Sequence, residues 1–132
     1  MNWPFRLFVH DACYEQISAF LAEARGSDQR ALFTAFRKIC ADPYRAGSPL
    51  QGLPQPIAGR VYKIWVGGRR GYRMVYLVHP PASIVVGILF SVVRRSQFDY
   101  DDADFASPAL AIANDLQQGR IDRFTQIQVP NE

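Results

Sequence analysis

Residues Val61 to Val93 read VYKIWVGGRRGYRMVYLVHPPASIVVGILFSVV, three apolar and β-branched runs cut by two clusters of turn residues. The runs Val61 to Val66, Tyr72 to Val78 and Ile84 to Val93 are rich in Val, Ile and Tyr, residues that suit a pleated, half-buried surface. Between them lie Gly67-Gly68-Arg69-Arg70-Gly71 and His79-Pro80-Pro81-Ala82-Ser83, and links this short join neighbouring strands in antiparallel fashion. A three-stranded meander is expected. Side chains alternate along a strand, so Arg73, Val75 and Leu77 share one face while Tyr72, Met74, Tyr76 and Val78 share the other.

Upstream, Trp3 to Val9 is short, aromatic and β-branched and ends at His10 and Asp11, where a helix can be capped; it is expected to be a first strand. Over residues 12–24, Cys13, Ile17, Phe20, Leu21 and Ala24 fall on one helical face, and Gly26 is expected to end that helix. Ser27 then caps a second helix carrying Leu32, Phe33, Phe36, Ile39 and Cys40, which Asp42 and Pro43 break. Two amphipathic helices in tandem suggest a hairpin. Residues 43–59 form a long Gly-, Pro- and Ser-rich connection. Downstream, Asp99, Asp101, Asp102 and Asp104 precede Ser107-Pro108, an N-cap and first-turn pair for a final helix ending near Gly119. The last dozen residues show no dominant pattern. The expected class is α+β, with a small antiparallel sheet made of the N-terminal strand and the meander, packed against an N-terminal helical hairpin and followed by a C-terminal helix. One domain over residues 1–132 is expected, with a core over about 3–101 and a helical extension over 102–132.

Charge is distributed unevenly. Between Pro43 and Phe98 there are eight Lys and Arg residues and no Asp or Glu, so a net charge of +3 conceals a central block of +8 between arms summing to −5. A basic block on a sheet seeks phosphate or carboxylate. Met1 to Val9 is interrupted by Pro4 and Arg6 and does not read as a signal peptide. The longest apolar run, Ile84 to Val93, is about half the ~20 residues a membrane-spanning helix needs. A soluble, cytoplasmic protein without membrane association is expected. Cys13 and Cys40 sit in apolar periodic patterns and read as free buried thiols; with only His10 and His79 beside them, there is no metal-ligand spacing, and no metal or cofactor is expected. Both histidines read as structural.

The order strand, two helices, meander, helix carries a family resemblance. Leu50-Gln51-Gly52, Tyr62-Lys63-Ile64, Gly71-Tyr72-Arg73-Met74-Val75-Tyr76, the apolar strand Ile84 to Val93, the pair Arg94-Arg95 and then Tyr100 together resemble the RelE/ParE superfamily of bacterial toxins. The resemblance covers about half the chain by motif and nearly all of it by element order. It implies a toxin held inactive by a cognate antitoxin and, in the RelE branch, a ribosome-dependent endoribonuclease that cuts mRNA. That chemistry has the 2′-hydroxyl attack its neighbouring phosphate without a metal. It requires a proton acceptor, compensation of the phosphorane charge and a proton donor for the leaving oxygen. Arginine matches phosphate oxygens with its planar fork, and 13 of the 15 basic residues are Arg.

By position, the resemblance implies that Arg73 stabilises the transition state, Arg95 acts near the leaving group and Lys63 holds a phosphate. Tyr100 then serves in proton transfer or base stacking, its phenol (ordinarily pKa ~10) drawn down by the arginine cluster. Arg60, Arg69, Arg70 and Arg94 are further candidates for RNA contacts. Trp65 stands where the family's RNA-cleaving members often carry a second lysine; it can stack on a base but cannot accept a proton. Arg95 and Tyr100 are also one residue closer together than in the family motif, and the C-terminal extension is longer than a minimal toxin needs. The acidic run after Phe98 can shield the basic face as an internal mimic of RNA phosphate. Ordinary roles stand beside these: Tyr72, Tyr76 and Trp65 can pack in the sheet, Arg69 and Arg70 can be solvated turn residues, and Arg94 and Arg95 can pair with the acidic run. Two alternatives remain open: a ParE-like DNA gyrase inhibitor, or a non-cleaving RNA- or protein-binding member of the fold. An antitoxin segment is expected at the exposed apolar edges of Trp3 to Val9 and of the two helices.

Overall fold

The computed structural model describes residues 3–67, 71–92 and 102–130. In chain order the elements are β1 (Arg6–Val9), α1 (Asp11–Glu23), α2 (Gly26–Ala41), α3 (Pro43–Ala46), β2 (Ser48–Pro49), β3 (Val61–Val66), β4 (Tyr72–His79), β5 (Ile84–Val92), α4 (Ala106–Gln117) and β6 (Thr125–Ile127). The strands form one six-stranded sheet in the order β2-β3-β4-β5-β1-β6. As expected, β3, β4 and β5 form an antiparallel meander, with Lys63 opposite Val75, Trp65 opposite Arg73 and Arg73 opposite Ser91.

β1 departs from an all-antiparallel arrangement. It runs parallel to β5, Leu7 opposite Val85, because the chain leaves β1 through a helical crossover that brings the next strands back in the same sense. Its other edge is covered by β6, with Phe8 opposite Gln126. The edge of Trp3 to Val9 is therefore not open to an antitoxin segment along β1, a correction that needed the short C-terminal strand to be seen.

The sheet has a core on each face. On one, Tyr62, Ile64, Met74, Tyr76 and Val78 pack against Cys13 and Ile17 of α1 and Leu32, Phe36 and Ile39 of α2. The helices sit close to the strands: a Cβ at Gly87 would lie 2.6 Å from Met74 Cε and 3.2 Å from Cys13 Sγ. On the other face, Val61, Val75, Leu77, Ile84 and Val86 are roofed by Ala109, Ile112, Ala113 and Leu116 of α4 and by Leu50, Leu53 and Ile57 of the long connection. The segment after residue 101 is thus built into the fold, since α4 closes the second core, β6 extends the sheet and Trp3 Nε1 donates to Val129 O at 2.9 Å.

Three helix boundaries differ from the expected ones, and one of them is the start of α4, which begins at Ala106 so that Ser107 and Pro108 lie inside its first turn rather than Ser107 capping it. α1 ends at Glu23, and Gly26 is the first residue of α2 rather than the stop of α1. Ser27 lies inside the first turn of α2, and the Gln29 side chain donates to the carbonyls of Leu21 and Ala24 at the end of α1. Asp42 ends α2 as expected and, beyond that expectation, its side chain accepts from the Tyr44 and Arg45 amides to start α3.

Candidate nucleic-acid interface

The two strand residues that follow Tyr62 and Ile64, namely Lys63 and Trp65, lie on the α4 face of the sheet with Arg73. Cross-strand partners share a face, so Trp65, Arg73 and Ser91 form one row and Lys63, Val75 and Leu89 the next, about 7 Å along the strands. The roof of α4 covers the rows nearer Leu77 and Val86. Beyond that roof Trp65 is 52% exposed, while Arg73 beside it is only 5% exposed. An exposed aromatic ring flanked by a guanidinium and an ammonium is the combination that grips a base and its phosphates.

Burial lowers the affinity of Arg73 for its proton, and the Asp102 carboxylate opposes that effect. Asp102 opens a turn of 3-10 helix (Asp102–Phe105) whose Phe105 is buried in the second core. Its Oδ1 lies 3.8 Å from Lys63 Nζ and its Oδ2 accepts from the Gln51 backbone N–H at 2.8 Å. One member of the acidic run is thereby set against the basic face.

Arg60 is not brought to this place. It precedes β3 at the opposite end of the sheet, about 16 Å of strand from Trp65. There its Nε donates to Val78 O at 3.1 Å, its Nη1 to Pro56 O at 3.3 Å, and its Nη2 lies 3.2 Å from His79 Nδ1. Burial, and then the Arg60 charge, push His79 below the usual histidine range. That arrangement gives Arg60 and His79 a structural role. His10 likewise packs its ring against Phe124, with centroids 6.3 Å apart.

Val66, Tyr72 and Val92 form the last paired row of the meander. Arg69, Arg70, Arg94, Arg95 and Tyr100, all singled out in the sequence, lie outside the described residues. Tyr72 and Tyr76 are on the helical face, where Tyr72 meets Phe20 edge-on at 4.8 Å and Tyr76 donates to Pro43 O at 2.6 Å. Among the described residues no group of His, Cys, Asp or Glu could hold a metal ion, and no helix is long and apolar enough to cross a membrane. Burial pushes the Cys13 and Cys40 thiols up to about 12 and about 11, and both are free and buried.

Two basic residues were not legible from spacing. A groove of about 450 Å³ along the outer edge of β3 is lined by Lys38 of α2 and Arg45 of α3 as well as by Lys63 and Trp65. Lys38 and Arg45 belong to separate elements, and only the packing of α2 and α3 beside β3 sets them next to Lys63. The Gln51 N–H was equally hidden, because a backbone donor leaves no signature in residue type; its one signal is the adjacent Gly52, which takes φ +72° and turns the chain there.

No protein-family model matches this chain, and no curated protein does. Solved structures do. The isolated E. coli RelE toxin superimposes with a TM-score of 0.54 at 17% identity, covering 86% of this chain and 97% of the toxin. An arginine-to-alanine double mutant of E. coli RelE in the free state gives 0.52 at 19% identity, covering 85% and 98%. At such identities the likeness speaks for architecture, and it spans nearly the whole of the toxin: this chain has a RelE-like fold.

Proposed function

We propose that this protein is the toxin of a toxin-antitoxin pair and acts as a ribosome-dependent mRNA endoribonuclease. The observation that carries the reading is the convergence of Lys63, Trp65 and Arg73 on the part of the sheet face that α4 leaves open, within a RelE-like fold. In the proposed reaction the 2′-oxygen attacks the adjacent phosphorus, the 5′-oxygen leaves, and the products are a 2′,3′-cyclic phosphate and a 5′-hydroxyl. Lys63 holds a phosphate and Trp65 stacks on a base, a contact contributing about 1–3 kcal/mol. Arg73, largely withdrawn from water, compensates the charge of the phosphorane, where a fixed guanidinium acts more strongly than in solvent. Arg95 and Tyr100 are assigned to leaving-group charge and proton transfer by resemblance. Arg69, Arg70 and Arg94 are assigned to the RNA backbone in the same way. The ribosome presents the message, and the partner that silences the protein is a cognate antitoxin.

One observation favours a second reading. Trp65 occupies the position of a second lysine and is half exposed, which equally suits an apolar contact with a protein such as DNA gyrase, the target in the ParE branch. The two are separated by inducing the protein in a bacterial host beside Arg73→Lys, which keeps the charge but loses the fork, and Lys63→Ala. Nuclease action gives new 5′ ends inside translated frames with the wild type and few with either variant at equal soluble level. Intact transcripts with accumulating gyrase-dependent DNA breaks would replace it by the gyrase reading.

A further inference from the structure

The Asp102 carboxylate is held between two donors on the sheet face that also carries Arg73. The Gln51 N–H reaches Oδ2 at 2.8 Å, Lys63 Nζ lies 3.8 Å from Oδ1, and the charge of Asp102 acts on the Arg73 guanidinium. The Gln51 amide belongs to a fixed piece of backbone. Leu50 N donates to Val61 O at 2.9 Å, Leu50 and Leu53 are both buried, and Gly52 takes the positive φ that turns the chain between them. A fixed backbone N–H and an ammonium on one pair of oxygens, with a guanidinium one row along the same sheet face, is a donor set suited to a phosphodiester. The occupant is held loosely, since Lys63 and Asp102 remain 36% and 24% exposed, and partly exposed ion pairs are weak and screened.

We propose that the Gln51 N–H, Lys63 and Arg73 form a cradle for one backbone phosphate of an RNA strand, and that Asp102 fills it as an intramolecular stand-in which the strand displaces. This rests on the RNA reading above and adds to it a backbone donor and a built-in competitor. Asp102 thereby sets a threshold: a lone phosphate competes poorly with a tethered carboxylate, whereas a strand that also engages Trp65 displaces it. Selectivity for polymeric RNA over free phosphate follows.

The test titrates inorganic phosphate and a non-cleavable 2′-O-methyl RNA hexamer into the whole protein, following amide resonances. In the wild type the hexamer must shift the Gln51 amide; binding that leaves it unmoved overturns the proposal. Asp102→Asn keeps a carbonyl oxygen for the Gln51 N–H while removing the charge, and it is expected to bind phosphate about tenfold more tightly. Adding Lys63→Ala to it should reverse the gain. Asp104→Asn removes the same charge nearby, and equal gains from Asp102→Asn and Asp104→Asn would reduce the effect to net charge and overturn the cradle. A cleavage assay run in parallel separates the two claims. Tighter phosphate binding without cleavage keeps the cradle and removes the nuclease, whereas cleavage with no change in phosphate affinity keeps the nuclease and removes the cradle.

Discussion

Replacing Tyr76 by Phe removes one buried hydroxyl. Tyr76 is fully buried, its hydroxyl donates to Pro43 O at 2.6 Å, and its ring stacks on Tyr62 with centroids 5.7 Å apart and planes at 15°. Phe keeps the ring and its stacking, so no cavity contribution of any size enters. What is lost is the donor to a carbonyl that the core screens from water, and leaving a buried acceptor unsatisfied costs about 1–3 kcal/mol. Tyr62 provides the internal comparison. Its hydroxyl donates to Gly59 O at 3.2 Å from a partly buried position, where water can take over, so Tyr62→Phe should cost under about 1 kcal/mol. Equilibrium urea unfolding followed by circular dichroism reads the difference. With a slope of about 1–3 kcal/mol per molar, the Tyr76→Phe midpoint should fall by about 1 M with the slope unchanged, and that of Tyr62→Phe by half as much or less. Equal midpoints for the two variants would refute the reasoning, because bond length and burial would then not decide the cost. The bond matters beyond stability, since Pro43 begins the connection that carries β2 and the Gln51 turn toward the site.

Alkaline pH should destabilise the protein early. Cys13 and Cys40 are raised from 9.0 to about 12 and about 11 by burial, and Tyr62 and Tyr76 are raised as well, so the fold retains protons that the unfolded chain releases. Their stabilisation is complete below pH 9 and lost as the pH climbs towards 11; urea midpoints that stay level across that window would contradict it. Arg60→Met should lower stability by about 1–2 kcal/mol, as carbonyls of Val78 and Pro56 lose a charged donor, yet leave RNA affinity within about twofold. A drop in affinity as large as that of Lys63→Ala would place Arg60 in the interface after all.

The meander was legible because its signals are local and redundant. Alternation along Tyr72 to Val78 placed Arg73 on a different face from Met74 and Tyr76, and the two cores divide along that line. The helical hairpin was legible from the spacing of Cys13, Ile17, Leu32, Phe36 and Ile39, all of which are buried. Gly26 misled because a glycine reads as a helix stop, whereas Gln29 reaches back to close α1 and α2 begins at once. β6, only Thr125–Ile127 with its first two residues exposed, has no alternation to detect and exists because β1 offers it an edge. Arg60 read as one more member of a basic block, since sequence distance from Lys63 is short; direction along the strand, which sets Arg60 before its start and Trp65 near its far end, is not written in composition.

Local chemistry by itself therefore determined the first strand, the helical hairpin, the three meander strands, the final helix and the alternation that puts Arg73 on a different face from Met74 and Tyr76, because pleat and turn geometry act over a few residues. Only the tertiary structure decided that β1 runs parallel to β5, that α4 roofs part of that face and leaves part open, that Lys38 and Arg45 stand beside Lys63, and that Asp102 meets Gln51 and Lys63 from far along the chain. Those are contacts between segments distant in sequence, and their partners are selected by the burial of apolar surface across the whole domain rather than by the residues on either side of them.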